Sequence, residues 1–88
     1  MYVLLTVWES PDEKDVHVLD IPNAVAADLR RYADEGVCTD KDLERALLNL
    51  QAQTKETDAK TARSAAVGTW LQRHGRRTDL PTFTAVEY

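Results

Sequence analysis

Few residues of this 88-residue chain are of the types that carry out chemistry, and they form no catalytic motif. The histidines His17 and His74 and the single cysteine, Cys38, lie far apart, and no C-x-x-C or H-x-x-x-H pair is present that would hold a metal. The three glycines are too widely spaced for a phosphate-binding loop. We therefore predict no cofactor, no metal site and no enzymatic activity.

The remaining reactive or charged residues have simple structural interpretations. Cys38 closely follows the helix-terminating Gly36, and such a cysteine is more often a small packing residue than a nucleophile. The acidic residues Asp12, Glu13 and Asp15 lack the spacing of a calcium loop and are expected at a solvated hairpin tip. One cysteine forms no internal disulfide, which is typical of a reducing cytoplasm.

The composition is that of a globular domain, with 43% hydrophobic and 30% charged residues. The chain contains no run of 18 apolar residues and no signal-type start. We expect a single cytoplasmic domain over residues 1–88 and no membrane partner. At this length the buried core is small and the stability modest.

Charge is distributed unevenly along the chain. Residues 1–50 carry 11 acidic and 5 basic side chains, a net charge of −6, whereas residues 51–88 carry 4 acidic and 6 basic ones, a net charge of +2. An acidic chain is poorly suited to non-specific nucleic-acid binding, which depends on neutralising phosphates. The acidic half can attract a basic surface on a protein partner, although such charges also serve to keep a small protein soluble.

Two stretches predict an antiparallel hairpin. Residues 2–9, YVLLTVWE, are the most apolar and β-favouring part of the chain, and residues 15–21, DVHVLDI, follow a turn over residues 10–14. Alternation divides the first strand into a face with Val3, Leu5 and Val7 and a face with Tyr2, Leu4, Thr6 and Trp8. It divides the second into a face with His17, Leu19 and Ile21 and a face with Val16, Val18 and Asp20.

After Pro22, which suits the first turn of a helix, apolar residues recur at helical spacing. The first predicted helix ends near Glu35, with Gly36 as its C′ residue, and Thr39 is the predicted N-cap of the second. The apolar residues of the first helix are Val25, Ala26, Leu29, Tyr32 and Ala33, and those of the second are Leu43, Ala46, Leu47 and Leu50.

The segment from 51 to 60 is polar and leaves two alternatives. A single helix over residues 40–74 would be about 52 Å long, nearly twice the length of an eight-residue strand, so we expect a break and a third helix capped by Thr54 or Thr57. In this helix one face is predicted to carry Ala59, Ala62, Ala66, Trp70 and Arg73, and Gly75 ends it. The alternative is a continuous coiled-coil arm, whose 4-3 spacing places threonine in half of the positions.

After a connector, residues 82–88, TFTAVEY, predict a last strand. The most apolar strand of a sheet is usually central, so the predicted fold is α+β with topology ββαααβ. It has a three-stranded antiparallel sheet of order 2-1-3 and two to three helices packed on one face. Those helices would cover Val3, Leu5 and Val7.

Residues 16–50 carry a pattern found in a known family. Pro22 ends a short alternating strand, a helix carries Val25 and Leu29, Gly36 to Thr39 form the inter-helix turn, and LERAL opens the next helix at Leu43. This segment resembles the ribbon-helix-helix family of small dimeric DNA-binding repressors and antitoxins. The resemblance implies a ribbon of two strands from two chains that enters the major groove.

In that family alternate outward residues of the strand read base edges, and the matching positions here are Val16, Val18 and Asp20. Two aliphatic side chains and a carboxylate read bases poorly, because aliphatic groups contact only a thymine methyl and phosphates repel a carboxylate. The family also lacks the strong first strand of this chain. The resemblance thus supports a strand-helix-helix unit more strongly than it supports sequence-specific DNA binding.

Two surface groups are candidates for binding. Rigid aromatics on one sheet face are typical interface anchors, and they adjoin an acidic hairpin tip, so the predicted partner-binding residues are Tyr2, Trp8, Asp12, Glu13 and Asp15. A basic group beside Trp70 could contact nucleic acid or an acidic partner through Arg73, Arg76 and Arg77. The simpler interpretation makes Trp70 a core residue and lets Arg73 and His74 complement a helix dipole.

These features lead to a functional hypothesis with an alternative. The chain is expected to be a non-enzymatic, stoichiometric inhibitor or regulator that binds a basic surface of a protein partner, with a homodimer as a further possibility. Phage anti-CRISPR and immunity-type proteins are analogous in size and charge. The alternative is a dimeric ribbon-helix-helix-like DNA-binding regulator or antitoxin.

Overall fold

The computed structural model describes residues 2–77. In chain order the elements are β1 (Tyr2–Ser10), β2 (Glu13–Asp20), α1 (Asn23–Glu35), α2 (Lys41–Gln53), α3 (Ala59–His74) and β3 (Arg76–Arg77). The α+β class predicted from the sequence is confirmed, and so is the choice of three helices. Within residues 2–77, no helix combines the length and apolar character that crossing a membrane requires.

β1 and β2 form the predicted antiparallel hairpin. Leu5 pairs with His17 and Thr6 with Val16, so each face of the hairpin receives alternate residues of both strands. Near the tip the register shifts between Trp8 and Ser10, where the pairing resumes with Glu13. This irregularity increases the local twist at the end of the hairpin.

The predicted sheet is wrong in both strand number and order. Within residues 2–77 the sheet has two full strands, and the two-residue β3 adds to the outer edge of β2, where Arg76 pairs with Asp20 and Arg77 with Leu19. β2 rather than β1 is therefore the inner strand, because the chain leaves α3 beside β2. The last strand predicted over 82–88 lies outside the described residues.

α1 begins after Pro22 and ends as predicted. Gly36 adopts a left-handed backbone with φ of 80°, and its N–H donates to the carbonyl of Tyr32 at 2.9 Å. Arg63 of α3 lies against this turn, because its Nε is 3.4 Å from the Ala33 carbonyl and its Cδ would be 3.3 Å from a Cβ on Gly36. The guanidinium thus meets the negative end of the α1 dipole.

The predicted N-cap of α2 is displaced by one residue. Asp40, not Thr39, caps the helix by accepting from the amides of Asp42 and Leu43 at 3.0 and 3.2 Å. The Asp28 carboxylate of α1 accepts from the amides of Thr39 and Asp40, at 3.2 and 3.3 Å. This contact fixes the inter-helix turn and leaves Asp40 placed as the cap.

The chain breaks between α2 and α3, so the alternative of one continuous arm is wrong. Thr54 is the C-cap of α2, and the N-cap of α3 is Asp58 rather than Thr54 or Thr57. The Asp58 carboxylate accepts from the Thr61 amide at 3.0 Å. Gly75 ends α3 as predicted, with its N–H on the Leu71 carbonyl at 2.8 Å.

The core lies between one face of the hairpin and the three helices. Tyr32, Leu47, Val67 and Leu71 are fully buried, and the Tyr32 hydroxyl donates to the side-chain oxygen of Gln51. Burial raises the pKa of this hydroxyl, which stays protonated as a donor. The predicted apolar face of α3 is only partly right, because its buried residues are Ala62, Ala66, Val67 and Leu71.

Candidate binding surface

The two faces of the hairpin have different surroundings. One face, with Val3, Leu5 and Leu19, lies against the helices and is buried. The other, here called the open face, carries Tyr2, Leu4, Thr6 and Trp8 of β1 with Val16 and Val18 of β2, and the charged Lys14 and Asp20 lie at its two ends. In residues 2–77 all three helices lie on the opposite side, and Trp8 and Val16 remain 60% and 48% exposed.

Trp8 is the largest side chain of the open face, and it is held in place from across the hairpin. Lys14 pairs with Trp8 on the neighbouring strand, and its ammonium lies 5.4 Å from the centre of the indole ring. This cation–π contact orients the ring without covering both of its sides. An exposed but oriented tryptophan is suited to bury a large area against a partner.

The predicted partner-binding residues do not form one patch. Tyr2 and Trp8 share the open face, but they are six positions apart along the strand, a distance of about 20 Å. Asp12 and Glu13 are exposed at the tip next to Trp8, whereas Asp15 pairs with Val7 and belongs to the helix side of the hairpin. Only Trp8, Asp12 and Glu13 therefore form a compact group.

The basic residues after Trp70 are also only partly as predicted. Arg73 and Arg76 are exposed, and Arg76 with Arg77 forms β3. Trp70 is packed against the core, and the His74 ring stacks on it at 4.4 Å between centroids with 13° between the planes. This agrees with the simpler interpretation of Trp70 and leaves little of its ring for stacking on a base.

Cys38 is buried between α1 and α2. Its thiol donates to the Asp40 carbonyl at 3.4 Å and its amide to the Glu44 carboxylate at 3.2 Å. Burial raises the pKa of the thiol, and the carboxylates of Glu44, Asp28 and Asp40 raise it further. A catalytic cysteine needs a lowered pKa and access, so the environment of Cys38 is that of a packing residue.

The histidines are not brought together with Cys38. His17 lies in the middle of β2 opposite Leu5, and His74 lies at the end of α3, where its Nδ1 is 3.1 Å from the Trp70 carbonyl oxygen. Among residues 2–77, no three His, Cys, Asp or Glu side chains are grouped so as to hold a metal ion.

A groove of about 810 Å³ lies beside the outer edge of β1. The edge contributes residues 5–8, α1 contributes Arg30, Ala33 and Asp34, and one face of α3 contributes the rest. That face, here called the small-residue stripe, consists of Thr61, Ser64, Ala65, Gly68, Thr69 and Gln72.

Neither the groove nor the aliphatic part of the open face was predicted from the sequence. The stripe repeats at intervals of three and four residues, which is the spacing of one helix face. That periodicity was a usable signal, but small polar residues resemble an ordinary solvated surface. Val16 and Val18 were considered only as base-reading positions, and the register joins them to Leu4 and Thr6 instead.

Comparisons of the chain with protein-family models, with curated proteins and with solved structures found no match. Its function must therefore be argued from the geometry described above.

Proposed function

We propose that this protein is a non-enzymatic protein-binding module of the cytoplasm that inhibits or regulates a partner stoichiometrically. The open face is its binding surface, and Trp8 is the central anchor. The observation that carries this proposal is the 60% exposure of Trp8 on a sheet face that no element of residues 2–77 covers. Exposed apolar faces of this kind are typical of interaction sites.

The rigidity of the hairpin supports this role. Val3 and Leu5 on the other face are 1% and 3% exposed, so β1 is fixed from behind by the core. A preformed sheet face loses little conformational freedom on binding, which leaves more of the contact energy as affinity.

The charges around Trp8 indicate the kind of partner. Asp12 and Glu13 are exposed at the tip beside it, and Lys14 is already engaged with the indole ring. A partner with an apolar depression for the tryptophan and basic residues around it would complement both features. Inhibition would follow from occupying that basic surface.

The experiment is affinity capture from a lysate of the source organism, followed by titration of the identified, purified partner. Trp8→Ala is compared with Leu48→Ala, since Leu48 is 50% exposed on α2, away from the open face. We expect 1:1 binding that Trp8→Ala weakens by about tenfold or more, while Leu48→Ala binds as wild type. Equal affinities of the two variants would refute the open face as the binding surface.

The ribbon-helix-helix-like regulator is the second proposal, with Arg73, Arg76 and Arg77 contacting the DNA backbone. β2 pairs with β1 along its length, so a ribbon built from β2 would have to displace that pairing or use its other edge. This proposal predicts a mobility shift on the DNA upstream of its own gene that weakens steeply with salt. Failure to retain that DNA at low salt would count against it.

A further inference from the structure

The outer edge of β1 is unprotected in the described chain. β1 pairs with β2 on one side only, and within residues 2–77 no strand lies on the other side. An unpaired strand edge presents a row of free N–H and C=O groups to any other strand.

The composition of β1 makes this edge unusual. Proteins generally protect open edges with lysine, proline or inward charges, yet residues 2–8 contain no charged residue, proline or glycine. The only irregularity is the register shift after Trp8. β2, by contrast, begins with Glu13, Lys14 and Asp15, and β3 covers part of its outer edge.

A groove of about 810 Å³ runs beside this edge. Its wall is the small-residue stripe of α3, in which Gly68 and Ala65 carry little or no side chain. A Cβ on Gly68 would make ordinary van der Waals contact with Leu5 Cδ1, at 3.8 Å, so this position of the stripe lies directly over β1. Small residues at a helix surface allow another helix to approach at the short end of the usual 8–10 Å between axes.

The balance of exposed charge differs between the two ends of β1, although Asp20 lies at the more basic end and Lys14 at the more acidic one. Arg76 pairs with Asp20, which in turn pairs with Tyr2, so the exposed basic residue lies level with the start of β1. The exposed Asp12 and Glu13 lie at the hairpin tip, beyond its other end. α3 runs opposite to β1, because a Cβ on Gly75 would meet Leu19, the partner of Val3, while a Cβ on Gly68 would meet Leu5. Arg73, near the end of α3, therefore lies on the basic side.

We infer that the occupant of this edge and groove is a second copy of the same chain. A two-fold axis would pair β1 with its symmetry mate in antiparallel orientation and bring the two small-residue stripes together. The same rotation turns the acidic tip of each copy toward the basic end of the other. These charges steer the encounter at long range rather than forming contact ion pairs. The two open faces then join into one continuous surface.

The test is the mass of the full chain in solution, by light scattering after size exclusion over a range of concentrations. The expected result is a mass that rises from 9.9 kDa toward twice this value, and a dimer that weakens as salt is raised. Ala65→Arg places an uncompensated charge between the stripes, and we expect it to raise the dissociation constant about tenfold or more. Ala52→Arg, at an exposed position of α2, is the matched control and is expected to dimerise as wild type.

Hydrogen exchange identifies the interface. Those amides of residues 5–8 that point away from β2 should gain protection as the protein concentration rises, whereas amides of residues 13–15 at the start of β2 should not. A chain that stays monomeric at all concentrations overturns the inference. So does a dimer that Trp8→Ala dissociates and Ala65→Arg does not, because its interface would be the open face.

Discussion

The two faces of the hairpin are built from neighbouring residues of the same strands but have opposite surroundings. Leu5 is 3% exposed under the helices, whereas Trp8, three residues later, is 60% exposed on the open face. Both faces of β1 are nevertheless apolar in sequence. A strand that is apolar on both faces has more apolar surface than the three helices of residues 2–77 cover, and the uncovered part is the surface that we propose for binding.

The largest expected effect compares the adjacent leucines on the two faces. Leu5→Ala leaves a cavity under α3 and is expected to lower the free energy of unfolding by about 2–5 kcal/mol. Leu4→Ala, on the open face, should cost less than half as much, as measured by urea denaturation. Equal costs for the two variants would mean that Leu4 is also buried and that the open face is not open.

The next largest effect compares Gly75 and Gly68, the two glycines at which α3 lies against the buried face of the hairpin. A Cβ at position 75 would lie 2.6 Å from the Leu71 carbonyl oxygen and 2.8 Å from Leu19 Cδ1, so Gly75→Ala should destabilise by about 1–3 kcal/mol.

Gly68→Ala is the matched variant inside α3. Its Cβ meets only ordinary contact with Leu5, and alanine is the better helix former, so we expect a stabilisation of roughly 0.5–1 kcal/mol. Thermal unfolding followed by circular dichroism distinguishes the stabilised Gly68→Ala variant from the destabilised Gly75→Ala variant. If Gly68→Ala were the destabilising variant, the groove would be narrower than described.

The two tryptophans allow a spectroscopic comparison. Trp70→Phe retains only Trp8, on the open face, and Trp8→Phe retains only Trp70, which packs on the core and stacks with His74. Iodide should quench the fluorescence of the Trp8-only variant more strongly, because its ring is 60% exposed. Quenching of both variants to the same extent would contradict the difference between the faces.

The smallest expected effect concerns pH and the N-cap of α3. The amide of Thr61, which donates to the Asp58 carboxylate, lowers the pKa of this group below the usual 3.8. A carboxyl with a lower pKa in the folded state stabilises above its unfolded pKa, and this contribution is lost as the pH falls through the folded value.

The difference in unfolding free energy between wild type and Asp58→Ala should therefore be constant from neutral pH to about pH 5 and shrink below pH 4. Asp58→Asn, which still accepts a hydrogen bond but does not titrate, serves as the control: its difference from wild type should be smaller at neutral pH and should shrink over the same pH range. A difference that grows on acidification would contradict the lowered pKa of Asp58 in the folded state.

Local signals in the sequence predicted most of the elements. Proline at the start of α1, glycine at its end and the alternation of the two strands act within a few residues, so they can be read without the fold. The caps of α2 and α3 were misplaced because Thr39, Thr54 and Thr57 are all good cap residues. Tertiary contacts, such as that of Asp28 with the turn, select among neighbours.

The candidate site could be predicted less well. Trp8 and the acidic tip could be proposed from the sequence because an aromatic residue beside a charged turn is a local pattern. The groove was not found, because it depends on how α1, α3 and the edge of β1 meet. Asp15 was grouped with Trp8 on sequence proximity, and the hairpin register places it on the opposite face.

The sequence by itself determined the α+β class, the hairpin and the break between α2 and α3, since hydrophobic period and capping residues act over short distances. Only the tertiary structure decided which strand is inner, which face of β1 is covered and where the groove lies. Those features follow from the position of α3, after which the chain continues beside β2. Long-range packing sets that position.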